Sequence, residues 1–171
     1  MLNNIINYNI IVNILEKKQK KGFKSTGGRN FLGRVCIKGK GNCNSSSKNI
    51  YRYLDFYRRL EKRGILLKIL YDPNRTGKIG LIMYENGLSS FILLQKGIKI
   101  FNNIYSGIFL EKNCNLNKGD STILNNIPLF SVLSNIEKKP YNGGTLSRAS
   151  GVSGLLISKD KFNGIIKFNS G

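Results

Sequence analysis

The chain has 171 residues and a formal net charge of +19, from 28 lysines and arginines against nine aspartates and glutamates. An apolar content of 40% is too high for a wholly disordered basic tail, so a folded core with a cationic surface facing a polyanion is expected. The absence of histidine excludes Ser–His, Cys–His and His–metal chemistry.

The acids Glu16, Asp55, Glu61, Asp72, Glu85, Glu111, Asp120, Glu137 and Asp160 are scattered singly. Acid–base work and metal sites need carboxylates that converge, so neither an enzyme nor a cofactor is expected. Cys36, Cys43 and Cys114 form no C-x-x-C pair and read as reduced thiols. No run of 18 apolar residues exists, so no membrane span is expected. The chain holds 22 Ile, 22 Asn and 20 Lys but a single alanine, Ala149, which is the mark of an A/T-rich genome. The first 28 residues lack arginine and so lack the pattern of an Arg-rich import signal. The expectation is synthesis inside an organelle, with an A/T-rich bacterium as the alternative.

In chain order, residues 1–24 form an N-terminal extension. Leu2, Ile5, Ile6, Ile10, Ile14 and Leu15 recur at roughly helical spacing, and the pattern predicts a short helix ending at Lys20-Lys21-Gly22. The stretch from residue 23 to 49 is rich in Gly, Ser, Asn and Lys. There, Gly27, Gly28, Gly33, Gly39 and Gly41 alternate with Arg29, Arg34, Lys38 and Lys40. Glycine lets backbone approach a phosphate and each cation neutralises one, so this lead-in is read as a nucleic-acid contact.

Strands are predicted at 50–57, 64–72, 78–84 and 89–95, with a Pro73-Asn74-Arg75-Thr76-Gly77 turn and an Asn86-Gly87 hairpin. Short strands with regular turns suggest a small barrel of the OB type. Further apolar segments at 122–127, 130–136, 152–158 and 164–168, with a turn at Asn163-Gly164, suggest a second one. Leu54, Phe56, Leu67, Ile69, Ile82, Ile92, Ile157 and Ile166 are the expected core, and Tyr51 and Tyr53 are read the same way. Lys159 is read as a solvent charge. Arg75 should be presented rigidly by its turn, and Arg148, among small residues, should fork onto phosphate oxygens.

An ordered set of motifs resembles the ribosomal protein L-two family. The pieces are Gly27-Gly28-Arg29-Asn30 with Gly33-Arg34, then Tyr51-Arg52 with Asp55-Phe56 and Arg58, and Tyr71-Asp72-Pro73-Asn74-Arg75. Ile92-Leu93 with Lys96-Gly97, Asn126-Ile127-Pro128, and Asn135 to Lys139-Pro140 follow. Gly143-Gly144 with Leu146, Arg148 and Gly151 closes the series. Ser47, Tyr57 and Asn125 stand where the family carries His or basic residues.

The resemblance implies an all-β chain: an OB-fold at 25–108, then an SH3-like barrel at 109–171, incomplete at its C-terminal end. It implies binding to large-subunit rRNA, beside other large-subunit proteins, by Arg29, Asn30, Arg34, Lys38, Lys40, Lys48, Arg52, Arg58, Arg59, Asn74, Arg75, Lys138, Lys139, Gly143, Gly144, Ser147 and Arg148. It implies a structural role in subunit assembly near the peptidyl transferase region, with no catalysis by the protein. Together with the codon bias it points to a mitochondrial ribosome, with a plastid or bacterial one as alternatives. A separate chain supplying the family's C-terminal part is a further expectation. The competing reading is a free-standing OB-fold module for single-stranded nucleic acid.

Overall fold

The computed structural model describes residues 2–22, 26–39, 49–51, 54–58, 62–107, 116–160 and 163–171. Helix α1, Leu2–Gln19, forms in spite of its asparagines. Isolated helices of such composition are marginal, and tertiary contacts hold this one. Val12 is buried, and Tyr8 and Leu15 pack with it against Leu67, Ile79, Leu81 and Phe91. The Tyr8 hydroxyl donates to the Leu67 carbonyl at 2.6 Å, and Gln19 Nε2 donates to the Ser89 carbonyl at 2.6 Å. Glu16 pairs with Lys20 and, at 2.8 Å, with Lys68. Residues 20–22, expected to end the helix, instead form β1 (Lys20–Gly22), antiparallel to β2 (Asn49–Tyr51).

The central sheet contains β3 (Lys62–Leu70), β4 (Ile79–Tyr84), β5 (Ser89–Leu93) and β6 (Asn103–Ser106). They run antiparallel in the order β5-β4-β3-β6. Strand β4 is buried along nearly its whole length, which is why its sequence is a continuous apolar run without alternation. One core cluster joins Leu67, Ile79, Leu81 and Phe91 to α1, and a second joins Leu66, Ile82, Tyr84, Ile92, Ile98 and Ile104.

The strand expected at 50–57 stops early. Leu54 makes a parallel bridge to Phe91, and the chain then bends at Phe56 and Tyr57. Asp55 forces the bend, because its Oδ1 accepts the backbone N–H groups of Tyr57 and Arg58, each at 3.0 Å.

Beyond residue 116 the elements are shorter. The segment 122–127, expected as a strand, holds a 3₁₀ turn at Leu124–Asn126. Asparagines disfavour a strand, and the Asn126 amide donates to Thr122 Oγ1 at 3.3 Å. Strands β7 (Val132–Leu133), β8 (Ile136–Glu137), β9 (Gly144–Leu146), β10 (Gly154–Lys159) and β11 (Gly164–Phe168) follow. They build a three-stranded sheet, β11-β10-β7, and a two-stranded ribbon, β8-β9.

A register shift between Leu156 and Ser158 interrupts the pairing of β10 with β11. Leu156 is fully buried, whereas Ile157, expected in the core, is 39% exposed. Lys159 is not a free surface charge: its Nζ donates to the carbonyls of Asn125 and Ile127 at 2.8 and 2.6 Å, tying the 3₁₀ turn to the sheet. Leu54, Phe56, Ile69 and Ile166 are half-buried, while Leu67, Ile82 and Ile92 are in the core as expected.

The bulge gives a direct test. Leu156→Ala should lower unfolding free energy by about 2–5 kcal/mol, the range for a buried leucine, whereas Ile157→Ala should cost less than about 1 kcal/mol. Urea denaturation of both variants measures the difference, and equal losses would contradict this register.

Candidate nucleic-acid interface

Three sequence-distant segments meet at the side chain of Phe56. The first is the bend itself. The second is the turn between β3 and β4, which is organised by a buried carboxylate. Asp72 is fully buried; its Oδ1 accepts the Asn74 N–H at 3.0 Å and its Oδ2 accepts Arg75 Nε at 2.7 Å. A buried charge is tolerated only when paired and hydrogen-bonded, and Arg75 and the turn backbone meet both needs. The Arg75 guanidinium carbon lies 6.0 Å from the centre of the Phe56 ring.

The third segment is the loop 143–152. Gly144 N–H donates to the Phe56 carbonyl at 3.0 Å. Gly143 has φ +75°, and a Cβ there would lie 3.3 Å from the Tyr57 ring; a Cβ on Gly144 would collide with Asn135 Oδ1. Both glycines therefore permit close backbone approach within the protein. The Arg148 guanidinium lies over the Phe56 ring, 4.0 Å from its centre, and donates through Nε (2.6 Å) and Nη2 to the Gly144 carbonyl. Ser147, at φ +55°, donates its hydroxyl to the Val152 carbonyl at 2.7 Å. Ser150 N–H donates to Thr76 Oγ1 at 3.3 Å, so the loop also touches the second segment.

These contacts change the roles expected for several residues. Arg148, though exposed, folds back onto its own loop and onto Phe56, and so shapes the loop. Gly143 and Gly144 are buried against protein. Arg58, expected at the RNA, is 8% exposed and donates Nη2 to the Gly119 carbonyl at 2.9 Å. Burial pushes its guanidinium below the usual arginine range, with Tyr84, Asp55 and Asp120 acting in the opposite direction. Its backbone carbonyl accepts the buried Ser106 hydroxyl. Arg58 is a strut linking the bend to β6 and to the Gly119 turn.

Asn74, Lys138 and Lys139 are exposed beside this junction in sequence, and Ser147 is half-buried. Arg29, Asn30, Arg34 and Lys38 lie on a separate small hairpin with an antiparallel bridge between Arg29 and Val35. Lys40, Lys48, Arg52 and Arg59, together with Ser47 and Tyr53, lie outside the described residues. Among the described residues no cluster of His, Cys, Asp or Glu has the form of a metal site, and no helix is long and apolar enough to cross a membrane. Sequence reasoning missed Asp72 as the anchor of its turn, although Asp followed by Pro-Asn is itself a turn signature. It also took Phe56 for plain core.

Antiparallel sheets with the helix α1 and a net charge of +19 define a class, a strand-rich and strongly basic protein. Residues 16–106 match the family described as Ribosomal Proteins L2, RNA binding N-terminal domain, and the chain belongs to that family. It is 40% identical over 158 residues to the large ribosomal subunit protein uL2 of Orientia tsutsugamushi (strain Ikeda), covering 91% of this chain and 55% of that protein. Identity to the uL2 of Buchnera aphidicola subsp. Cinara cedri is 38% over 162 residues, covering 94% and 55%, and to that of Bartonella tribocorum 35% over 158, covering 91% and 54%. The chain thus spans about half the length of the curated relatives it matches.

Two stability measurements test the junction. A double-mutant cycle of Phe56→Ala with Arg148→Ala should return a coupling of about 0.5–2 kcal/mol by denaturant unfolding, the range of a cation–π contact, and no coupling would contradict the stack. Arg58→Ala should cost about 1–3 kcal/mol, because it strands a buried carbonyl.

Proposed function

We propose that the chain is a structural constituent of the large ribosomal subunit, binding large-subunit rRNA and supporting subunit assembly and the peptidyl transferase region. The observation that carries this reading is the match of residues 16–106 to an RNA-binding domain family, in a chain of net charge +19. The contacts proposed are the exposed Arg29, Arg34, Lys38, Asn74, Lys138 and Lys139 with the half-buried Asn30, and, from the sequence alone, Lys40, Lys48, Arg52 and Arg59. Asp72, Arg75, Phe56 and Arg148 hold two of the RNA-facing loops in shape. Recognition is of backbone and shape, because A-form grooves offer side chains little sequence information. The protein supplies no catalytic group.

Its partners are rRNA and neighbouring large-subunit proteins. The outer edge of β11 meets no strand among the described residues, and a strand from another polypeptide pairing there belongs to the same reading. The Ile, Asn and Lys excess supports an A/T-rich genome and, with it, a mitochondrial ribosome; the relatives named here are bacterial, which supports a bacterial ribosome as the second reading.

The test is co-sedimentation with large ribosomal subunits, combined with the salt dependence of binding to large-subunit rRNA. Each neutralised phosphate contributes roughly −0.7 to −0.9 to the log–log slope, so six or more contacts give a slope steeper than about −4. A slope shallower than about −2 would overturn the reading, and a chain that stays off the large subunit yet binds single strands would favour a free-standing module.

A further inference from the structure

The hairpin that carries Arg29 and Arg34 has an unusual tip. Asn30 N–H donates to the Arg34 carbonyl at 2.9 Å, Gly33 N–H donates to the Asn30 carbonyl at 3.1 Å, and Arg34 N–H donates to Asn30 Oδ1 at 2.9 Å. Cys36 and Ile37 N–H groups both donate to the Gly28 carbonyl, at 2.9 and 3.1 Å, which closes the base. Gly33, at φ +79°, makes the turn sterically easy. The two central turn positions are Phe31 and Leu32. Turn centres are the usual place for Gly, Asn, Asp, Ser and Pro, not for an aromatic ring followed by leucine.

Among the described residues that ring belongs to no core cluster. Phe31 is 95% exposed and Leu32 is 65% exposed. Five backbone and side-chain hydrogen bonds fix the turn, so a large apolar side chain is held out to solvent on a braced support. Arg29, Arg34 and Lys38 are exposed on the same hairpin. No aspartate or glutamate occurs between Glu16 and Asp55.

We propose that Phe31 is a stacking platform for an unpaired base of the large-subunit rRNA, with Arg29 and Arg34 holding the phosphates on either side. The inference rests on the rRNA reading and adds a specific contact to it. RNA offers a π-face and phosphates in one molecule, which is the pairing of an exposed ring with flanking guanidiniums. An apolar protein groove would satisfy the ring but leave the cations beside it without counter-charge. The sequence tolerance of stacking suits a tip whose other groups recognise only backbone.

The chain contains no tryptophan, so Phe31→Trp introduces a single reporter at the tip. The experiment titrates the full chain, Phe31→Ala and Phe31→Trp with transcribed large-subunit rRNA, at several salt concentrations. Phe31→Ala should weaken binding about 5- to 150-fold, the loss of one stacked base, with the salt slope unchanged. Phe31→Trp should bind at least as tightly as the parent, and its emission should be quenched by the RNA. If Phe31→Ala binds within twofold of the parent, or Phe31→Trp binds without quenching, the stacking proposal fails while rRNA binding stands. If Phe31→Ala leaves rRNA affinity intact but loses a protein neighbour from the particle, the occupant is protein and the proposal is wrong. A parent chain that does not bind rRNA at all overturns the rRNA reading and this inference with it. Because Phe31 is almost fully exposed, its replacement should leave the urea midpoint unchanged, which separates contact loss from unfolding.

Discussion

The constraint on which the rest depends is the position of one benzyl ring. Phe56 sits at a bend made by Asp55, and guanidinium groups from turns some 20 and 90 residues further along the chain gather on it. Its backbone carbonyl fastens Gly144 at the same point. The ring is thus the place where the first sheet and the later loop are given a fixed relation. Arginine suits this use better than lysine, because a planar fork stacks on the ring and still donates in its own plane to Gly144.

This arrangement sets two groups of the described arginines apart. Arg58, Arg75 and Arg148 each have a donor engaged by a protein carbonyl or a carboxylate. Arg29 and Arg34 stand in solvent on a hairpin that holds itself together. The first group makes surfaces of defined shape; the second meets whatever those surfaces are pressed against. On the proposed rRNA reading both are needed, since loose loops would lose their ordering entropy only at the moment of binding.

Much of the first sheet was legible because β3, β4 and β5 are apolar runs bounded by Pro-Asn and Asn-Gly turns. The chemistry of turns is local, so it survives in the sequence. What was not legible is non-local. The bulge at Ile157 depends on the pairing of β10 with β11, and no periodicity within β10 reveals it. The helix α1 has an apolar pattern blurred by asparagine, and only its contacts with Leu67, Leu81 and Phe91 show which face is inside. The internal contacts of Arg58 and Arg148 are non-local in the same way. A cation in a Gly-rich stretch reads as a phosphate ligand, and nothing local says that a carbonyl or a ring from elsewhere has already taken it. The motif from Asp72 to Arg75 is visible as a pattern in the sequence, but its physical content, a buried carboxylate bracing its own turn, lies in the fold.

The few anionic side chains have an effect on how copies of the chain meet one another. Glu16 holds two lysines, Asp72 holds Arg75, and Asp55, Asp120 and Glu137 accept backbone N–H groups. Five of the nine carboxylates are therefore turned to internal bracing. Among the described residues the exposed carboxylates are Glu85, Glu137 and Asp160, set singly among many exposed cations. Like-charged surfaces juxtaposed cost several kcal/mol, so two molecules repel over distances of about a Debye length, roughly 8 Å at physiological salt. That repulsion opposes self-association through the exposed ring of Phe31 and through the outer edge of β11, which meets no strand among the described residues.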